Sequence, residues 1–265
     1  MKKKSFLIVL VFLIALFLIK PNPLYNIAKQ KGYKALKVIV YYNNIKPDKD
    51  SDFIETSHFI INGKSTEKTT VEELGNLLEK SYYLIGDEFN YYPEKKTPVI
   101  VYGSMEEFWN QNKSLDGQSV MGLYHLGVIH LVVPEVFDMD LDEYEKNGPV
   151  LHEYTHKTVD DISCGNVEIW FTEGLALYQE YLNYGVVWAD GITYEKQYTM
   201  EELRKDFLSL DSVQAYKQSL IIIKDIYQNE GKDKIIELIE ELGKGIVLDD
   251  ALNKVGLEIE TLEGK

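Results

Sequence analysis

His152, Glu153 and His156 stand in the run His-Glu-Tyr-Thr-His. On a helix, positions four apart lie on one face and one turn apart. Two imidazoles so spaced can share one metal ion, and Glu153 beside them can reach a water at that metal as a general base. The flanking residues allow such a helix: Pro149 follows Asn147-Gly148 and suits a first helical position, and Leu151, Thr155 and Val159 offer a packing side. The competing reading is an amphipathic helix with two incidental histidines. A catalytic zinc site uses three protein ligands and keeps one position open. No histidine follows His156, so the third ligand must be a carboxylate. Asp160 and Asp161 would sit on the same helix, one turn on, and Glu168 and Glu173 lie in the next segment. Glu173 is preferred: Thr172 is a suitable N-cap, which puts Glu173 in the first turn of a new helix. Small Gly174 and Ala176 would let that helix pack closely on the first. Alone, a first-turn glutamate is explained by the helix dipole.

The His152–His156 motif and the segment Trp170–Tyr178 together resemble the gluzincins, and among them the small bacterial peptidase MA-like domains. Those carry a Trp-hydrophobic-x-Glu-Gly-x-Ala-x-aromatic block after the metal helix, which Trp170, Phe171, Glu173, Gly174, Ala176 and Tyr178 fit. The resemblance extends loosely over Val99–Phe108, the Gly127–Val133 run, and Tyr216 to about Gly245. It implies zinc held by His152, His156 and Glu173, with Glu153 as base. Leu177 stands where the thermolysin-like pattern has an aspartate, so the group that would orient a zinc histidine is unassigned. The Gly-x-Met-Glu-Asn segment of related aminopeptidases is missing, which favours internal cleavage. In gluzincins an edge strand at this place lines the substrate cleft; His125 and His130, on or beside the 127–133 strand, could touch substrate or be ordinary surface residues. His58 reads as structural. Tyr216 resembles the later-helix tyrosine that supplies a transition-state donor in such enzymes. It also begins a packing stripe with Leu220, Ile223 and Tyr227, and both readings stand.

The elements expected to position these groups come in two blocks. Strands are expected at 53–61, with a turn at Asn62-Gly63, and at 98–102 and 127–133. A helix is expected over 70–89, and a short one after Ser104. From Pro149 onward the spacing is helical: 149–160, 173–184, 212–229, 233–242 and 247–255. An N-terminal mixed sheet followed by a mostly helical half is an α+β fold.

The chain has 265 residues, 45% of them hydrophobic, enough for one sizeable core. Its formal net charge of −15 argues against nucleic acid as a partner. The single cysteine, Cys164, excludes an internal disulfide, and reads as a half-buried structural residue rather than a reactive thiol. Lys2, Lys3 and Lys4 precede an unbroken apolar run from Phe6 to Ile19, the pattern of an export signal. With Pro21 to Tyr25 the run nearly reaches the length of a span, and no clear cleavage site follows. The lysines favour a cytoplasmic N-terminus.

The organisation expected is therefore a signal anchor at 1–25, a linker or stalk at 26–50 with a short strand at 38–42, and a peptidase MA-like domain at 51–265. The function expected is zinc-dependent hydrolysis of a peptide or protein outside the cytoplasm, by a single-pass membrane protein, or a secreted one if the signal is cleaved. The rival is a catalytically inactive zinc-binding or scaffold domain of the same fold.

Overall fold

The computed structural model describes residues 23–47, 51–113, 120–193 and 196–257. The run Phe6–Ile19 lies outside the described residues, and among those described no helix is long and apolar enough to cross a membrane.

A five-stranded mixed sheet has the order β1-β2-β3-β5-β4. Its strands are β1 (Ser51–Glu55), β2 (Phe59–Lys64), β3 (Thr97–Tyr102), β4 (Gly122–His125) and β5 (Val128–Val132). The strand expected across 53–61 is two strands. Thr56-Ser57-His58 reverse the chain, with the Thr56 N–H donating to the Phe59 carbonyl at 3.0 Å and the Thr56 hydroxyl accepting from the Phe59 N–H at 3.1 Å. Asn62-Gly63 consequently lies inside β2 rather than in a turn. The 127–133 strand is also not the sheet edge. Leu126 and Gly127, both at positive φ, make a two-residue hairpin that returns β4 to the outside of β5.

Helix α1 (Pro23–Asn44) stands where a short strand at 38–42 was expected. The β-branched and aromatic run there reads locally as a strand. Asn26, Gln30, Tyr33, Lys37, Val40, Tyr41 and Asn44 are the less exposed positions, however, and that spacing is helical. α2 (Lys68–Phe89) crosses from β2 to parallel β3. It buries Val71, Leu74, Leu78 and Ile85, as its periodicity predicts, and ends on left-handed Asn90. α3 (Met105–Gln111) starts at Ser104, whose hydroxyl accepts from the Glu107 N–H.

The second half is helical: α4 (Leu141–Asn147), α5 (Val150–Ser163), α6 (Ile169–Tyr184), α7 (Met200–Asp206), α8 (Ser212–Glu230), α9 (Lys232–Gly243) and α10 (Leu248–Val255). α4 and α7 were not anticipated; each is seven residues long, too short for a periodicity signal, although Asp140 and Thr199 cap them. The sheet face carrying Val99, Val101, Ile129 and Leu131 packs with α2 and α5 in the main core. The opposite face carries Ile100, Tyr102, Val128 and Val132, covered by Phe108 of α3 and Val40 of α1. This is the α+β architecture that the order of strands and helices implies.

Candidate metal centre

α5 turns Leu151, Tyr154, Thr155, Thr158 and Val159 into the protein, which brings His152 and His156 together on another side with ring centroids 4.7 Å apart. α6 begins at Ile169, four residues before the expected start. Glu168 holds the N-cap position without a capping side-chain bond; its carboxylate instead accepts from Trp170 Nε1 at 2.8 Å and pairs with Arg204 at 2.9 Å. Thr172 is therefore inside the helix rather than capping it, and Glu173 lies in the second turn. Gly174 packs α6 against α8 instead of against α5. A Cβ at that position would come within 2.5 Å of the Ser219 carbonyl oxygen.

His152, His156 and Glu173 each offer a ligand atom, all within 4.8 Å of one another. Glu173 Oε2 is 3.2 Å from His152 Nε2 and 3.4 Å from His156 Nε2. Ligands about 2.0–2.1 Å from a tetrahedral zinc stand about 3.3 Å apart, and the two separations from Glu173 Oε2 fit that ion. The rear nitrogens are taken. Glu180 Oε1 lies 3.1 Å from His152 Nδ1 and Thr172 Oγ1 lies 2.8 Å from His156 Nδ1. With Nδ1–H donating in each case, both Nε2 lone pairs face the ligand position. Glu180 fills the orienting role that Leu177 cannot. It lies seven residues after Glu173, two turns along the same face, a spacing that was available in the sequence.

The metal-free cluster is strongly polarised. Burial opposes a charge on His152, but the Glu180 carboxylate and the hydrogen bonds of Glu173 and Glu180 outweigh it and hold its pKa well above the usual imidazole range. Burial likewise opposes the Glu173 carboxylate, yet the His156 and His152 rings hold it far below the usual carboxylate range. Glu153 is the contrasting case. It is 7% exposed, and burial keeps its pKa raised although His152, His156 and a hydrogen bond from the Tyr124 backbone N–H act to lower it. A buried carboxylate with a raised pKa is suited to holding a proton briefly.

Burial, with the charges of Glu173 and Glu153, holds the Tyr216 pKa well above 10. Its ring packs on Phe207 at 5.3 Å and Trp188 at 5.8 Å. Tyr216 thus has its ring in the packing stripe, with a phenol that feels the charges of Glu173 and Glu153.

Other candidates sit apart from the cluster. Asp160 accepts from Tyr33, Lys37 and Tyr124, and Asp161 pairs with Lys37 and Lys157. The pairing of Tyr124 with Ile129 turns that residue towards α5. The same register puts His125, opposite Val128, and His130, opposite Leu123, on the face away from α5. His130 Nδ1 is 2.8 Å from the Tyr102 hydroxyl, and burial pushes its pKa down to about 4. His58 stacks on Tyr82 and meets Glu79 at 2.6 Å. Cys164 is a left-handed helix end, half-buried. Tyr124 is a site neighbour that the motif reading missed; the strand carrying it is only four residues long.

Residues 138–265 match the family model of the Peptidase MA superfamily. The matched stretch contains α5, α6 and α8, hence His152, Glu153, His156, Glu173, Glu180 and Tyr216. It supports a gluzincin-like peptidase MA domain there. That superfamily is typically metal-dependent, and with the His-His-Glu cluster the match points to protease activity. No curated protein matches the chain.

Proposed function

We propose that this protein is a zinc metallopeptidase that cleaves internal bonds of a peptide or protein outside the cytoplasm, tethered to the membrane by its N-terminal segment. The observation that carries the reading is the convergence of two Nε2 atoms on one carboxylate oxygen at 3.2 and 3.4 Å, each histidine braced from behind, beside a buried Glu153. Bound there, zinc would supply Lewis-acid polarisation of the scissile carbonyl and lower the pKa of a water towards about 7.

The remaining work falls to the chain. Glu153 would take a proton from the attacking water and pass it to the leaving amine nitrogen. The Tyr216 hydroxyl would donate to the carbonyl oxygen as negative charge builds on it. β4, at the open sheet edge beside α5, would pair with an extended substrate by strand addition. The tether is supported by Lys2–Lys4 ahead of the Phe6–Ile19 run.

Metal analysis of the purified protein, with a chelator-sensitive screen against a peptide library, tests the reading. One zinc per chain and cleavage abolished by chelator and restored by zinc are expected. A folded, zinc-loaded protein that cleaves nothing would support a binding or scaffold role instead. Cell fractionation should find the protein in membranes with its body accessible from outside, and a soluble cytoplasmic pool would overturn the tether.

A further inference from the structure

Glu153 and Asp160 are seven residues apart on α5, two turns along one face, and Tyr124 meets both. The Tyr124 backbone N–H faces the Glu153 carboxylate closely enough to act on its pKa, and its hydroxyl donates to Asp160 Oδ2 at 2.5 Å. Asp160 is in turn held from α1. The Tyr33 hydroxyl donates to Asp160 Oδ1 at 2.6 Å, and Lys37 Nζ bridges Asp160 and Asp161, the latter at 2.6 Å. α1 is fixed to the body beyond these contacts: Asn26 Nδ2 donates to the Gly245 carbonyl at 3.0 Å and Gln30 Nε2 to the Gly243 carbonyl at 3.3 Å. At its other end, Asn62 Nδ2 donates to the Asn44 carbonyl at 3.2 Å. A set of hydrogen bonds therefore runs from α1 through Asp160 to Tyr124, whose backbone faces the carboxylate beside the ligand cluster.

We propose that Tyr124, clamped by Asp160 and through it by Tyr33 and Lys37 of α1, is the positioning residue for Glu153, so that α1 is a working part of the catalytic centre. This rests on the reading of Glu153 as the general base. β4 is short and pairs with β5 on one side only, so among the described residues no strand fixes its outer edge. Tyr124 stays a donor at every physiological pH, because burial and the two aspartates hold its phenol well above 10. Losing the clamp would free β4 to shift, and misplacing a reacting group by about 1 Å can cost about 100-fold in rate.

The test compares wild type with Tyr33→Phe and Tyr124→Phe, each of which removes one hydroxyl and keeps the ring. The double variant Tyr33→Phe with Lys37→Met is added, and Tyr91→Phe is the control, because Tyr91 meets Asp161 and not Asp160. Amide exchange at Tyr124, zinc content, and kcat and KM on a cleaved peptide are measured in the full chain. Exchange at Tyr124 should rise about tenfold or more in the clamp variants. Their kcat should fall about 10- to 100-fold with KM within about twofold and one zinc still bound. Tyr91→Phe should match wild type in all of these. Unchanged Tyr124 exchange with unchanged kcat would overturn the proposal. So would a loss of kcat that appears only together with loss of zinc, or equally in Tyr91→Phe, since α1 would then be structural support. The exchange measurement is independent of turnover. If the wild type cleaves no peptide, the metallopeptidase reading fails, while exchange at Tyr124 still decides whether α1 holds this strand.

Discussion

Glu180→Gln isolates the group that braces His152. The side chain keeps its size and an acceptor oxygen 3.1 Å from Nδ1, but loses its charge. Two effects of opposite sign follow. A carboxylate partner raises the basicity of a ligating histidine, and removing such a partner typically costs 10–100-fold in metal affinity, which is about 1.4–2.7 kcal/mol at about 1.4 kcal/mol per decade. The same carboxylate also raises the pKa of His152 in the metal-free protein, so below that value zinc must displace a proton and its apparent affinity falls with pH. In the variant His152 loses its proton more easily. The 10–100-fold deficit should therefore be fully visible only above the pKa of wild-type His152, and should narrow as pH falls. Competition titration against a chromophoric chelator over a pH series that extends above the wild-type His152 pKa measures both limbs. Equal affinities at the highest pH, or a gap that widens on acidification, would refute the reasoning. Without metal the sign is also fixed. A raised histidine pKa adds stability that is complete below the unfolded value of about 6.5, and is lost as pH rises through the folded value.

Glu153→Gln should keep its zinc and lose about 100- to 10,000-fold in kcat, since an amide cannot accept the water's proton; turnover near wild type would remove Glu153 from the mechanism. Glu173→Ala should lose metal, whereas Glu168→Ala should keep it and lower the melting temperature, because Glu168 joins Trp170 to Arg204; zinc analysis and calorimetry of the two variants distinguish them. Tyr216→Phe should lower kcat and kcat/KM together by about 100- to 1,000-fold with zinc content unchanged, and an unaltered kcat would leave the tyrosine as packing alone.

The cluster of His152, His156 and Glu173 was legible in the sequence because it depends on short-range geometry. His152, Glu153 and His156 are brought together by the pitch of one helix, and the preference for Glu173 came from its own segment, although the helix that carries it starts earlier than its capping pattern suggested. Helix periodicity likewise located α2, α8 and α9 to within a few residues. What the sequence could not decide is how separate elements face one another. The run at 38–42 has strand-like residues, yet it is helical because Tyr33, Lys37 and Val40 find partners on α5 and the sheet. A two-residue hairpin, rather than any motif, turned Tyr124 towards α5 and His125 and His130 away from it. Glu180 stands at a spacing anyone could count, but its role needed the angle at which α6 meets α5. Side-chain chemistry and local pitch are written residue by residue. The partners of Glu153, Asp160 and His152 come from contacts between elements far apart in the chain, and only the tertiary packing selects among the many pairings that the sequence permits.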